Sequence, residues 1–214
     1  MLDVPDYATR DLAWLRDLLT RRPWATIVAA PDGVPTATHM PVLLENAGGD
    51  GGDEALTLVT HLGVPDDETL GLADGVQVLV VVEGASGYVT PTWYAWGPAV
   101  PTWNVEVAHL TASVELLDDA GTWDVLVRTV AAFESARPEP FVLAADDLAY
   151  ARRLARGVRG VRLHVTDWRG KNKMSQDKPA AVVARIVAGL EDPADVHADP
   201  ALAAAMRAVH PDLP

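Results

Sequence analysis

The chain contains no cysteine, only three lysines (Lys171, Lys173 and Lys178) and two phenylalanines, and no apolar run approaches the roughly 20 residues that span a membrane. Without cysteine there is no disulfide framework, no thiolate metal site and no thiol nucleophile. The HExxH, GxSxG and GxxxxGK[ST] patterns are missing too, which removes the simplest zinc-protease, serine-hydrolase and P-loop readings. Positive charge is scarce: 17 Lys and Arg against 30 Asp and Glu give a net charge of -13. That balance opposes a broad nucleic-acid face, because phosphate neutralisation supplies most non-specific affinity for DNA. The first residues, MLDVPDYATRDL, show no basic stretch followed by an apolar run, so a soluble cytoplasmic protein is expected, with no membrane partner.

What is abundant is tryptophan, with seven in 214 residues. Trp93, Trp96 and Trp103 fall in Gly87 to Asn104, GYVTPTWYAWGPAVPTWN, where proline and glycine oppose a helix. Each indole buries roughly 200 Å² at about 25 cal/mol per Å², so leaving all three in water would forfeit up to about 15 kcal/mol. The segment is therefore expected to line a core, a subunit interface or an aromatic ligand pocket. Pro91-Thr92-Trp93 returns as Pro101-Thr102-Trp103, a local motif too short for a domain repeat.

The pattern of the remaining chain predicts an α+β domain. Thr9 is placed to cap a helix ending near Arg22, with Leu12, Leu15, Leu18 and Leu19 on one stripe. Trp24–Ala30 and Val34–Leu44 read as a hairpin around Pro31-Asp32-Gly33, and Ala47–Glu54 as a glycine-rich tip. Leu56–Leu62, Val76–Glu83, Val105–Leu117 and Val158–Trp168 read as strands, with Val78–Val82 expected to be buried on both faces. Both faces of Val105–Leu117 are mixed in polarity, as in a closed barrel or a dimer seam. Helices are expected at Asp66–Ala73, Thr122–Ala136, Asp146–Arg156, Pro179–Leu190 and Pro200–His210. At least six strands with few crossover helices favour a largely antiparallel barrel with peripheral helices. Residues 1–190 form the expected domain and 191–214 a tail with a short helix.

Every lysine lies in Arg169–Lys178, which carries four positive side chains and one negative. Lysine, Ser175 hydroxyl and Gln176 amide could hold a phosphate there; a solvated turn between strand and helix is the alternative. His39, His61 and His109 fall on strands without metal-ligand spacing, so core or pocket roles are favoured and no metal is expected. Asp66-Asp67-Glu68 suits a helix start, where the dipole favours acids.

Several pieces combine: Ala37-Thr38-His39-Met40-Pro41, the strand ending near His61, Tyr88-Val89-Thr90-Pro91-Thr92-Trp93-Tyr94, Val100-Pro101-Thr102-Trp103-Asn104 and Lys173-Met174-Ser175-Gln176. Together, over about residues 2 to 190, they resemble the PaiB family of FMN-binding negative transcriptional regulators. The resemblance implies a split β-barrel that dimerises with flavin sites at the subunit interface. It implies that Thr38, His39 and His61 line the FMN site, that Trp93, Tyr94, Trp103 and Asn104 shape the pocket, and that Lys173, Ser175 and Gln176 close it. Where the family reads His-x-Ala-Arg-Ala-Asn, this chain reads His61-Leu62-Gly63-Val64-Pro65-Asp66, and the family's Ser-Gln-Asn-Arg is here Ser175-Gln176-Asp177-Lys178. The expected function is that of a dimeric sensor of a cofactor or metabolite acting through a protein partner. The alternative is a flavin-dependent oxidoreductase of the pyridoxamine-phosphate-oxidase or flavin-reductase type, with His61 or Tyr94 available for proton transfer; haem handling is a third reading.

Overall fold

A computed structural model describes residues 4–45, 56–95, 97–142 and 145–213. The expected tip at Ala47–Glu54 and Trp96 lie outside the described residues. Among the described residues, eight strands form one sheet: β1 (Ala8–Thr9), β2 (Trp24–Ala29), β3 (Thr36–Pro41), β4 (Leu43–Leu44), β5 (Thr57–Gly63), β6 (Gln77–Val89), β7 (Thr102–Leu116) and β8 (Val158–Lys173). Their order is β3-β2-β6-β7-β8-β5-β4, with β1 paired to β8. The pairs β1/β8, β2/β3, β2/β6, β4/β5 and β5/β8 are antiparallel. Six α-helices accompany them among the described residues: α1 (Leu12–Arg21), α2 (Val64–Thr69), α3 (Asp119–Glu134), α4 (Ala145–Ala155), α5 (Ala180–Glu191) and α6 (Pro200–Val209). The class is α+β, as expected. None of the helices, among the described residues, is long and apolar enough to cross a membrane.

The chain divides into two compact units, and β6, β7 and β8 contribute residues to both. Unit 1 comprises residues 1–15, 83–108 and 169–214. Its core is built on α5, whose Val182, Val183, Ile186, Val187 and Leu190 recur at helical spacing on one stripe. Leu202, Ala203 and Met206 of α6 join the same cluster, with Val89, Tyr94 and Met174. Asp199 caps α6 by accepting from the Leu202 amide at 2.9 Å.

Unit 2 comprises residues 16–82 and 109–168. The β2–β3 hairpin forms with Ala29 opposite Thr36, and positive φ at Asp32 (54°) and Gly33 (80°) makes the turn. Asp118 caps α3 through the Gly121 amide at 2.8 Å. Val59 of β5, Leu117 and Val125 of α3 form a small buried cluster.

Four expectations change. Asp11, not Thr9, caps α1, accepting from the Ala13 amide at 2.9 Å, because Thr9 is drawn into the β1 pairing with Gly170. Val78, Val80 and Val82 are buried while Leu79 and Val81 stay partly exposed, so this part of β6 covers one face, as antiparallel sheets permit. β6 runs on to Val89, taking Gly87 to Val89 out of the aromatic loop. Likewise β8 continues to Lys173, so Lys171 and Lys173 are strand residues and only the segment after them turns.

Candidate functional site

Unit 1 assembles the end of β8, the start of β7 and the aromatic loop. Asn104 is an inward-facing residue of β7 and Ser175 follows β8 with φ of 63°; both side chains are fully buried. Asn104 Nδ2 donates to Ser175 Oγ at 3.0 Å, and Ser175 Oγ lies 3.3 Å from Asn104 Oδ1. Gln176 closes the turn from inside: its Oε1 accepts from the Met174 amide at 2.6 Å and its Nε2 donates to the Asn172 carbonyl at 2.6 Å. The polar groups of Asn104, Ser175 and Gln176 are thus engaged within the protein.

Lys173, the last residue of β8, presents a cation beside this turn. Its Nζ donates to Thr102 Oγ1 and lies 5.6 Å from the centre of the Tyr7 ring. Burial pulls its pKa below the ordinary lysine value, reinforced by Lys171 and Lys178 and resisted by Asp177. Asp177 sits among these groups, with Lys178 Nζ 3.1 Å from its carboxylate. Burial pushes the Asp177 carboxyl up, but the bonds from Lys178 and Tyr7 outweigh it and hold the pKa below the usual value. The Tyr7 hydroxyl is pushed up to about 12, first by burial and then by the Asp177 charge.

The aromatic residues divide. Trp93 packs on the unit 1 core and its Nε1 donates to Asp195 Oδ2 at 2.9 Å. Tyr94 is buried; its carbonyl accepts from Arg185 Nε at 2.9 Å, and Lys178 Nζ lies 5.3 Å from its ring centre. The Tyr94 hydroxyl and Asn172 Oδ1 are buried polar atoms without hydrogen-bond partners. Trp103, by contrast, is 56% exposed, with its ring edge-on to Tyr88 at 6.4 Å. Of the three places expected for this segment, the core therefore takes Trp93, while Trp103 stands on the outward side of β7.

Thr38, His39 and His61 belong to unit 2. Thr38 is partly buried and His39 exposed on β3, opposite Ile27 and Thr26. His61 lies on β5 opposite Gly160, and its Nδ1 is buried without a partner. Burial lowers the His61 pKa, favouring the neutral ring. Tyr7, Asn172, Asp177 and Arg185 were missed as site residues. Tyr7 reaches the turn only because β1 pairs with the end of β8, a long-range register no local pattern encodes. For Asp177 a signal existed, its position within the lysine run.

Residues 1–167 match the FMN_bind_2 family, "Putative FMN-binding domain". The chain belongs to this family. Membership supports a flavin cofactor. No curated protein matches it in sequence. Among solved structures, the FAD and heme binding protein from Mycobacterium smegmatis is 20% identical, with 83% of this chain and 79% of that one covered at a TM-score of 0.58. The flavocytochrome Anf3 from Azotobacter vinelandii is 15% identical, covering 78% and 69% at a TM-score of 0.57. A 5-nitroimidazole antibiotic resistance protein, so described provisionally, from Bacteroides thetaiotaomicron is 15% identical, covering 77% and 85% at 0.51. At these identities the likeness shows the fold, that of the flavin-binding split barrels.

The donor set of unit 1 suits the FMN_bind_2 cofactor. Lys173 offers a cation for a phosphate, Trp103 a half-exposed indole, and Tyr94 hydroxyl and Asn172 Oδ1 an unpartnered donor and acceptor. Asp177 is the dissenting group, a carboxylate where an anion would be received.

Proposed function

We propose that this FMN_bind_2 protein is a dimeric, FMN-binding negative transcriptional regulator of the PaiB type, which senses a cofactor or metabolite and acts through a protein partner. One observation carries the reading. The Val100–Asn104 motif and the Lys173–Gln176 motif, far apart in sequence, meet through the reciprocal Asn104–Ser175 bonds and the Lys173–Thr102 bond. Such a turn has a structural purpose beyond solvation: Asn104, Ser175 and Gln176 hold its shape, and Lys173 is left to meet an anion. FMN, when bound, supplies redox and spectroscopic chemistry; the protein's part is to bind the phosphate, stack the ring and exclude water. The half-exposed outward face of β7, with Trp103, Val105 and Val107, supports a subunit contact, which should bury at least about 1,200 Å² in total. A net charge of -13 supports indirect action, since DNA phosphates are repelled at long range.

The test is FMN titration followed by absorption, sedimentation at micromolar concentration, and a gel shift on candidate promoter DNA. The expected outcome is saturable FMN binding, a dimer and a flat gel shift. A species of only 22.8 kDa sinks the dimer. Nanomolar binding to one promoter at physiological salt, lost in a scrambled site, sinks indirect regulation. Catalytic bleaching of the flavin by a reduced nicotinamide with a small acceptor would replace the sensor with an oxidoreductase.

A further inference from the structure

We infer that His210 is a positioning residue of the flavin site: from the far end of α6 it grips the Met174 carbonyl and thereby fixes where Lys173 meets the ligand's phosphate. The inference rests on the reading of Lys173 as the phosphate contact. Met174 joins Lys173 to Ser175, whose φ of 63° is left-handed, and side chains hold both of its backbone polar groups. Gln176 Oε1 accepts from the Met174 amide at 2.6 Å, and His210 Nε2 donates to the Met174 carbonyl at 3.0 Å from 36 residues away. A carbonyl only accepts, so the His210 ring carries a proton on Nε2. On the other side of Lys173, the Asn172 amide donates to the Tyr7 carbonyl at 2.8 Å, extending the pairing of β1 with β8. The backbone of Lys173 is thus fixed from both sides, and its amine reaches Thr102 Oγ1. A lysine stem is flexible and ordering it on binding costs affinity, so a lysine already in place binds an anion more tightly.

The anchoring of α6 separates this role from packing. Leu202, Ala203 and Met206 are buried in the unit 1 core. A Cβ on Gly87 of β6 would come within 2.9 Å of Leu202 Cδ2, and Met206 Sδ lies 3.5 Å from Asn104 Nδ2. Arg207 bonds Glu191 at 2.9 and 3.0 Å. The helix therefore has anchors of its own, and the His210 bond adds a connection from it to the turn. A left-handed conformation is costly for a residue with a Cβ, so a turn released from that bond relaxes away from its present shape. The Lys173 amine reports such a change. Burial holds its pKa below the ordinary lysine value, and relaxation that admits water raises it.

The experiment uses the full chain as wild type and as three variants. His210→Phe keeps the bulk of the ring and loses the donor, His210→Gln keeps a donor, and Arg207→Ala cuts the bond from α6 to Glu191 while leaving Met174 untouched. The chain has only three lysines, so isotopic methylation lets NMR follow each amine through a pH titration, assigned by Lys→Arg replacement. In His210→Phe the Lys173 midpoint should rise toward the ordinary lysine value, with the Lys171 signal as reference. FMN binding should weaken by roughly two- to twelvefold, the cost of ordering one long side chain, while riboflavin affinity stays the same. His210→Gln should restore both readouts. Arg207→Ala should lower the melting temperature and move neither. An unchanged Lys173 titration in His210→Phe overturns the inference, as do equal losses for FMN and riboflavin or the same effects from Arg207→Ala. In the wild type FMN should also shift the His210 ring signals, and their indifference to saturating FMN overturns the inference without any substitution. Protein that ignores FMN yet shows the His210-dependent lysine titration sinks the flavin reading and upholds the hold of His210 on Lys173. FMN binding that is indifferent to His210 sinks the positioning role alone.

Discussion

Asn104 and Ser175, 71 residues apart, donate to and accept from each other with no side-chain surface left to water. Removing Ser175 leaves Asn104 Oδ1 without its donor and Nδ2 with only the 3.5 Å contact to Met206 Sδ, which costs about 1–3 kcal/mol for a buried polar group. Ser175→Ala should therefore lower unfolding free energy by that amount in urea. Ser175→Gly loses the same bond but relaxes the positive φ of 63°, so it should be less damaging than alanine by roughly 1 kcal/mol. Equal stability of Ser175→Ala and wild type would show that the pair contributes nothing.

Lys173 and Asp177 act in opposition on an incoming phosphate. Lys173→Ala should weaken FMN binding by about 1.5–3 kcal/mol, roughly ten- to over a hundredfold, without changing affinity for phosphate-free riboflavin. Asp177→Asn should instead strengthen FMN binding several-fold, again leaving riboflavin unchanged, because it removes a like charge from the site. Lys171→Ala is the control, with little effect expected. Parallel titrations of both ligands check all three, and losses shared by FMN and riboflavin would mean that the turn is merely solvated.

In unit 2, Arg162 grips Glu45 at 2.7 and 2.8 Å and reaches Glu115 at 2.7 Å. The Arg162 bond is the largest influence on Glu45 and, with the Arg162 and Arg128 charges, outweighs burial to hold the carboxyl below its ordinary 4.5. A depressed carboxyl stabilises the fold above its unfolded pKa, and that contribution fades as pH falls through the folded value. Glu45→Gln should lose about 1–2 kcal/mol near neutral pH, discounted for partial exposure, and converge with wild type in acid as pH falls below the depressed folded value. Thermal melts across that pH range check the sign; a constant deficit at all pH values would remove the charge argument.

Gly189 lies against Trp93 so closely that an added Cβ would come within 2.5 Å of the indole Cε2. Alanine normally gains about 1 kcal/mol over glycine inside a helix. Here the rigid ring outweighs that preference, and Gly189→Ala should destabilise by about 1–3 kcal/mol. The double variant Gly189→Ala with Trp93→Leu should be less destabilised than the two single changes added together. Strict additivity would show that the two sites do not touch.

Local pattern was enough where a segment's own periodicity decided its state. The α5 stripe from Val182 to Leu190 and the Pro31-Asp32-Gly33 hairpin were legible because helical spacing and turn chemistry act within a few residues. The motifs around Trp93, Asn104 and Ser175 were legible as a family resemblance, and membership in FMN_bind_2 agrees with the flavin-binding part of that reading. Strand ends were less so. β6 and β8 outrun their apolar stretches because pairing with neighbours, and not side-chain hydrophobicity, carries Gly87 and Lys173 into the sheet.

Composition and spacing alone determined that this chain is an acidic, cysteine-free α+β protein with an aromatic segment that must find a surface. They did not determine which tryptophan finds one. Trp93 is covered because Gly189 leaves room for its ring and Asp195, 102 residues onward, accepts its indole hydrogen. Trp103, in the same Pro-Thr-Trp context, points outward from β7 and stays 56% exposed. The state of His61 was decided in the same way: a strand histidine reads alike whether bonded or not, and only packing left its Nδ1 buried and without a partner. Burial and pairing depend on chain segments that are remote in sequence, so these assignments belong to the tertiary structure.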